Sequence, residues 1–271
     1  MDKAQQFAGL WAVVLGGSSG FGFAALQKLA SHGMNIAVLY RETAITEKPL
    51  KENLAKIAAE NAVTILPFNI NALEPGGRDL FLKQFTQVAV HKHCVKLLLH
   101  SIARGNLKPL AADTVNGENA NVLSTDDIQA TSYAMSNSLL DWTRLLLNAG
   151  LFNADARIIG LTSDGAHKYW DSYAAVSIAK ASLESLTKYM AVEFSRFGLK
   201  TNLVQAGVTE TASLKRIPGS NKLITLASEN NPMGRITRPT DVANVIYMLC
   251  TDEAFWINGS LIHVDGGEHC L

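Results

Sequence analysis

A chain of 271 residues, 48% apolar and 18% charged, is long enough to bury a substantial core and has the make-up of an ordinary globular protein, not a disordered or coiled-coil one. Its 24 basic and 24 acidic residues balance, which argues against nucleic acid or an anionic membrane surface as the main partner. Cys94, Cys250 and Cys270 are too few and too scattered for a disulfide framework or a zinc site, and neither a signal peptide nor a membrane-spanning apolar run is evident, so a cytoplasmic protein is expected.

The segment WAVVL, 11–15, reads as a short strand; GGSSGFG follows at once, then FAALQKLASHG with helical spacing and a terminating Gly33. Strand, glycine turn and helix is the order that a dinucleotide site requires. Gly16 permits the tight turn, Gly20 lets backbone approach a pyrophosphate, and Gly22 allows close helix packing. Ser18 and Ser19 add amides and hydroxyls suited to an anion at a helix N-terminus. The next strand, NIAVLY, ends at Tyr40 and is followed by Arg41, with no acid at its end. A nearby arginine accommodates a ribose 2′-phosphate, so the cofactor reading leans to NADPH over NADH, although Glu42 follows directly.

Alternation continues with a polar helix around PLKENLAKIAAEN, a strand VTILPF ending near Asn69, a helix FLKQFTQVAV and an apolar strand VKLLLH. Strands separated repeatedly by helices imply an α/β fold: a doubly wound parallel sheet of about seven strands with helices on both faces. Asn69 and Ile70 stand at a strand's carboxyl end, where a ligand lies in such sheets. His91 and His93 have no further ligand cluster and read as a solvated helix end; no metal is expected.

His100, Ser101, Ile102 and Ala103 leave the fourth strand. The polar stretch 111–124 reads as a loop, and Thr125, Asp126 and Asp127 then start one long helical segment to about Asn148, with Met135 and Trp142 as core or subunit contacts. A fifth strand, ARIIGL, runs into TSDGAHKYW, which places Ser163 at a strand's carboxyl end, and then into YAAVSIAK. On a helix, positions seven apart differ by about 700°, so Tyr173 and Lys180 share one face. A phenol and an ammonium so placed can act on two ends of one ligand. After a sixth strand, KTNLVQ, the stretch AGVTETASLKRIPGSNKLI is long and polar enough to cover a site, at about residues 208–230. RPTDVANVIYMLCTD reads as a helix and GSLIHVDGG as the last strand and turn. Without repeat or linker, residues 1–271 form a single Rossmann domain.

With these residues collected, the chain resembles the short-chain dehydrogenase/reductase superfamily over nearly its full length: the GGSSGFG turn, the fourth-strand exit, the Tyr173 helix, AGVTET and HVDGG carry the likeness. Within it, HSIA at 100–103 and the six residues between Tyr173 and Lys180 look like the enoyl-acyl-carrier-protein reductases of bacterial fatty-acid synthesis. The spacing has a physical reading. A ketone reductase needs its acid beside the carbon that takes hydride, whereas an enoyl thioester takes hydride at the β-carbon and gathers charge on an oxygen several bonds away. Moving the tyrosine three positions along a helix shifts it by about 4.5 Å, the order of that added distance.

The resemblance implies that Lys180 holds the nicotinamide ribose and Tyr173 hydrogen-bonds the thioester oxygen. It also implies that Gly16, Ser18, Ser19, Gly20, Phe21 and Gly22 surround the pyrophosphate, Arg41 the adenosine ribose, and Asn69 and Ile70 the adenine. Ser101 and Ile102 would meet the cofactor's inner edge, Gly207, Val208, Thr209 and Thr211 its nicotinamide end, and Ala212–Leu226 would cover the substrate. It implies a small-molecule or carrier-bound acyl thioester as substrate and a homo-oligomer, dimer or tetramer. Three departures stand out: Ser163 occupies the place of a second aromatic residue in many enoyl reductases and of the catalytic serine in ketone reductases, Val176 stands at the ketone reductases' tyrosine position, and the GGSSGFG turn is of the ordinary reductase kind, unlike the longer, glycine-poor turn common in enoyl reductases. Two alternatives therefore stay open, a 3-oxoacyl or other carbonyl reductase using Ser163 and Tyr173, and a dinucleotide-binding regulator without activity.

Overall fold

The computed structural model describes residues 5–89, 91–111 and 122–271; the expected loop at 111–124 falls mostly outside them. Seven strands form one sheet: β1 (Trp11–Leu15), β2 (Asn35–Tyr40), β3 (Ile65–Asn69), β4 (Val95–His100), β5 (Phe152–Ser163), β6 (Leu199–Ala206) and β7 (Leu261–Val264). All neighbours pair in parallel, in the order β3-β2-β1-β4-β5-β6-β7. The connections are α1 (Gly20–Ala30), α2 (Ala44–Asn61), α3 (Pro75–Val88), α4 (Thr125–Ser132), α5 (Ser138–Asn148), α6 (Ala174–Glu193), α7 (Ser220–Asn230) and α8 (Pro239–Cys250).

Side chains alternate along β1: Ala12 and Val14 enter a core with Leu26 and Leu29 of α1 and Ile246 and Leu249 of α8. Val13 and Leu15 enter the opposite core with Phe81 and Phe85 of α3, Trp142 of α5 and Leu183 of α6. Both sheet faces are thus covered, which is why these strands read as continuous apolar runs. Among the described residues no helix is long and apolar enough to cross a membrane.

Three helices differ from the sequence expectation. Helix α2 begins at Ala44 and runs through Pro49, because Thr43 caps its N-terminus and Glu47 pairs with Lys51 at 2.7 Å. The expected long helix ending at Asn148 is interrupted by a π-turn, Tyr133–Asn137. The Ser138 hydroxyl donates to the Ala134 carbonyl inside that turn at 3.0 Å and stands 2.8 Å from His100 Nε2. The polar stretch after β6 contains α7, started after Gly219 at φ 73. Its Leu223, Leu226 and Ala227 keep helical spacing that the surrounding polar residues hide.

Candidate active site

The chain turns from β1 into α1 at the switch point of the sheet, where β1 and β4 lie side by side and their connections leave in opposite directions. Gly16, at φ 81, is pressed against the exit of β4: a Cβ there would lie 2.6 Å from the Ser101 carbonyl oxygen and 3.2 Å from the Ile102 amide nitrogen. A Cβ on Gly22 would meet the Gly16 carbonyl oxygen at 2.3 Å, so this glycine lets α1 close on the turn. Across the cleft, Thr211 Cγ2 stands 3.6 Å from where a Gly20 side chain would begin. Ser19 at the N-cap makes no side-chain cap bond and the first turn of α1 holds no acid. This leaves a positive helix end open to an anion. Phe21 is half-buried against the core.

At the end of β5, the Ser163 hydroxyl accepts the Gly165 amide at 3.2 Å. The Tyr173 ring lies on that short turn: a Cβ on Gly165 would sit 2.5 Å from Tyr173 Cε1. Burial pushes the Tyr173 phenol up from its ordinary pKa, while a hydrogen bond with Ser163 pulls the other way. Tyr173 is the N-cap of α6 with a non-helical backbone, φ −100 and ψ 2. Its carbonyl accepts the Ser177 amide at 2.9 Å, so Tyr173 stands at the start of the helix that carries Lys180, with its ring against the Ser163–Gly165 turn. Lys180 is 6% exposed and its Nζ donates to the Leu161 carbonyl oxygen at 2.7 Å. Burial lowers its pKa to about 8, against the pull of Glu184. His100 is buried beside it; desolvation first, then the Lys180 charge, lowers the imidazole to about 3 and keeps it neutral. Tyr173 also lines a cavity of about 420 Å³ with Tyr169, Trp170, Ser177, Lys108 and Lys168.

The glycine turn at the switch point and the serine–phenol pair at the exit of β5 both lie at carboxyl ends of strands. A family model described as enoyl-(acyl carrier protein) reductase matches residues 16–269. The chain belongs to that family. It is a divergent member within the short-chain dehydrogenase/reductases. It is 34% identical to the NADH enoyl-[acyl-carrier-protein] reductase FabI of Aquifex aeolicus over 49% of each chain, and 28% identical to that of Bacillus subtilis over 64% of each. The matched segments thus span from about half to under two thirds of these relatives' own lengths. The crystal structure of FabI from Candidatus Liberibacter asiaticus superposes with a TM-score of 0.81 at 21% identity over 98% of each chain. The Bacillus cereus enoyl reductase crystallised with NADP+ and an indole naphthyridinone gives 0.82 at 22% identity, over 98% of this chain and 99% of that one. At such identities the likeness speaks for the fold.

Other expected site residues of this reductase-family chain stand apart or are already engaged. Arg41 is exposed and makes no ion pair among the described residues. The Asn69 amide accepts the Glu42 N–H at 3.0 Å and donates to the Glu42 carbonyl at 2.9 Å, so it holds the Arg41–Glu42 loop in place. Ile70 and Ile102 are half-buried against the core. The Thr209 hydroxyl donates to the Gly207 carbonyl at 2.9 Å, and the Val208 amide donates to Glu268 at 3.1 Å. Sequence reasoning did not single out Gly165, Glu268 or Trp170, whose indole N–H donates to the Pro218 carbonyl at 3.1 Å. A glycine two residues past the strand-end serine was the one local sign of the first; the other two act across distances the sequence does not display.

Proposed function

We propose that the chain reduces the 2,3 double bond of trans-2-enoyl thioesters, carrier-bound in fatty-acid elongation, with NADPH or NADH. When bound, the dinucleotide supplies hydride to the β-carbon. The residues present fit such a group: the uncapped end of α1 would receive the pyrophosphate at Gly16, Ser18, Ser19, Gly20 and Gly22, and the exposed Arg41 would take the adenosine ribose phosphate, favouring NADPH. Lys180 Nζ spends one of its three donors on Leu161 and has two for ribose hydroxyls. Gly207, Val208, Thr209 and Thr211 would hold the nicotinamide end, and the segment 212–226 would cover the acyl chain. The Tyr173 phenol, kept protonated by burial, donates to the thioester oxygen as enolate charge develops there.

What carries the reading is the position of the acid. Val176, where a ketone reductase has its tyrosine, is 4% exposed and packed with Ala134, Met135 and Ala179, so it has no proton to give. Tyr173 instead lines the cavity. The contact between Ser163 and Tyr173, with a glycine turn of the ordinary reductase kind, favours a carbonyl reductase, as the second reading. Oxidation of NADPH and NADH with matched enoyl and 3-oxoacyl thioesters separates them. Turnover is expected with the enoyl compound, reduced about 10²–10⁴-fold by Tyr173→Phe with little change in cofactor affinity. Activity on the 3-oxoacyl compound alone would establish the carbonyl reductase instead.

A further inference from the structure

The residues after β7 fold into a tight turn whose side chains the reduction does not use. Asp265, 5% exposed, accepts the Gly267 and His269 amides at 3.0 Å each, and its Oδ2 lies 2.6 Å from His269 Nδ1. Burial alone would raise the Asp265 pKa, but these donors offset it and hold the carboxyl below its ordinary value. An ionised carboxylate only accepts, so in the neutral ring Nδ1 carries the proton and Nε2 presents a lone pair. That Nε2 stands 3.5 Å from Cys270 Sγ. The His263 ring stacks on His269 at 3.8 Å and 11°, which fixes the plane of the base. Both ring nitrogens are thereby assigned, one to Asp265 and one to Cys270. A thiol, a base and a buried orienting carboxylate are the parts of an activated nucleophile. Of the other two cysteines, both buried, desolvation pushes the Cys94 thiol up and the Cys250 thiol up to about 12. Cys270 alone is exposed.

The same turn is fastened to the candidate active site. Glu268 receives the Val208 amide at 3.1 Å, and Lys168, which lines the Tyr173 cavity, donates to the Leu271 main-chain oxygen at 3.1 Å. Acyl thioesters brought to that cavity would come beside the turn that carries this thiol, which Lys168 ties to the cavity through Leu271. We propose that Cys270 is a self-acylation site, a nucleophile that takes the acyl group from a thioester; the choice of electrophile rests on the substrate class proposed above. His269 Nε2 takes the Sγ proton, Sγ bonds to the thioester carbonyl carbon, and the bond from that carbon to the donor's sulfur breaks. The departing thiolate recovers the proton from His269. One thioester replaces another, and no oxidant or reductant is consumed.

The full chain is incubated with the hexanoyl thioester of N-acetylcysteamine, which has no double bond to reduce, and followed by intact mass and peptide mapping. One hexanoyl group is expected on the peptide that carries Cys270. It is absent in Cys270→Ser and forms about tenfold more slowly, or less, in His269→Phe, which keeps a ring against His263 but has no base. Asp265 also holds the turn, so His269→Phe is the decisive variant. An unmodified wild-type chain, or equal rates in wild type and His269→Phe, would overturn the assignment. Acylation without enoyl turnover would sink the proposed reduction alone, whereas enoyl turnover with Cys270 unmodified would sink this inference alone. Cys270→Ser is expected to oxidise NADPH with an enoyl thioester as the wild type does.

Discussion

Lys180 is a buried cation whose charge is conditional. Its folded pKa of about 8 lies below that of a free lysine, so folding disfavours the protonated form. That cost to stability is present in full below pH 8 and is relieved as pH rises towards the ordinary value near 10.4. Function runs the other way, since the charge proposed to hold the ribose fades above about pH 8. Titration of NADPH binding from about pH 7 to about pH 10 is expected to show affinity falling through that value. Lys180→Ala is expected to bind more weakly throughout and to lose this step; an identical step in the variant would assign it to another group. Gly165 acts through space alone. An alanine there would press its Cβ to within 2.5 Å of the Tyr173 ring, so the phenol must move. Displacements of about 1 Å at a reacting group cost up to about 10²-fold in rate. Gly165→Ala is therefore expected to lower kcat about tenfold or more with unchanged cofactor affinity, measured by steady-state kinetics and titration. Unaltered kcat would show that the ring's seat on Gly165 does not matter.

At the scale of elements, the site depends on where regular structure is broken. The π-turn between α4 and α5 brings the Ala134 carbonyl and Ser138 hydroxyl to His100, which ties that helix pair to the end of β4. Tyr173 stands just outside α6, and the preceding residue, Ser172, has φ 58. That kink at a non-glycine residue turns the chain from the end of β5 into the helix. Trp170, in the same connection, reaches the segment before α7 through the Pro218 carbonyl and packs near Gly219. Trp170→Phe keeps a ring and removes the donor. Faster amide exchange in residues 212–226 and a raised KM for the acyl thioester are expected, by about the worth of one hydrogen bond, roughly 0.5–1.5 kcal/mol. Unchanged exchange in that segment would mean that the indole does not hold the cover.

Across the whole molecule, the two edges of the sheet do different work. The carboxyl ends of the strands carry the site, while the amino ends are clasped by Asp155, which meets Lys96 at 2.7 Å, Lys200 at 2.6 Å and the buried Arg157. Burial alone would raise the Asp155 carboxyl; hydrogen bonds from Arg157, Lys200 and Lys96 outweigh it and hold the pKa well below the carboxylate range. A depressed acid contributes stability above its unfolded pKa near 4 and loses it as pH falls through and below that value. Removing one partner from a buried ionic cluster typically costs about 3–5 kcal/mol. Asp155→Asn is expected to unfold at lower urea by about that amount at neutral pH, to lose less stability than wild type on acidification, and to keep kcat at temperatures where it is folded. A midpoint equal to that of wild type would deny the clasp its role. The seven strands, the Gly16–Gly22 turn and the covered sheet were legible in the sequence, because alternating burial and glycine spacing are local consequences of strand and turn geometry. The rule that ligands lie at the carboxyl ends of such strands also put Ser163 and the glycine turn on one edge before any side chain was seen. The sequence could not decide that the Tyr173 ring lies on Gly165, that Asn69 is occupied by Glu42, or that Asp265, His269 and Cys270 line up. Periodicity records which face of an element is buried. Contacts between side chains depend on how elements far apart in the chain pack and on where a backbone turns out of regular structure, and only the tertiary structure decides these.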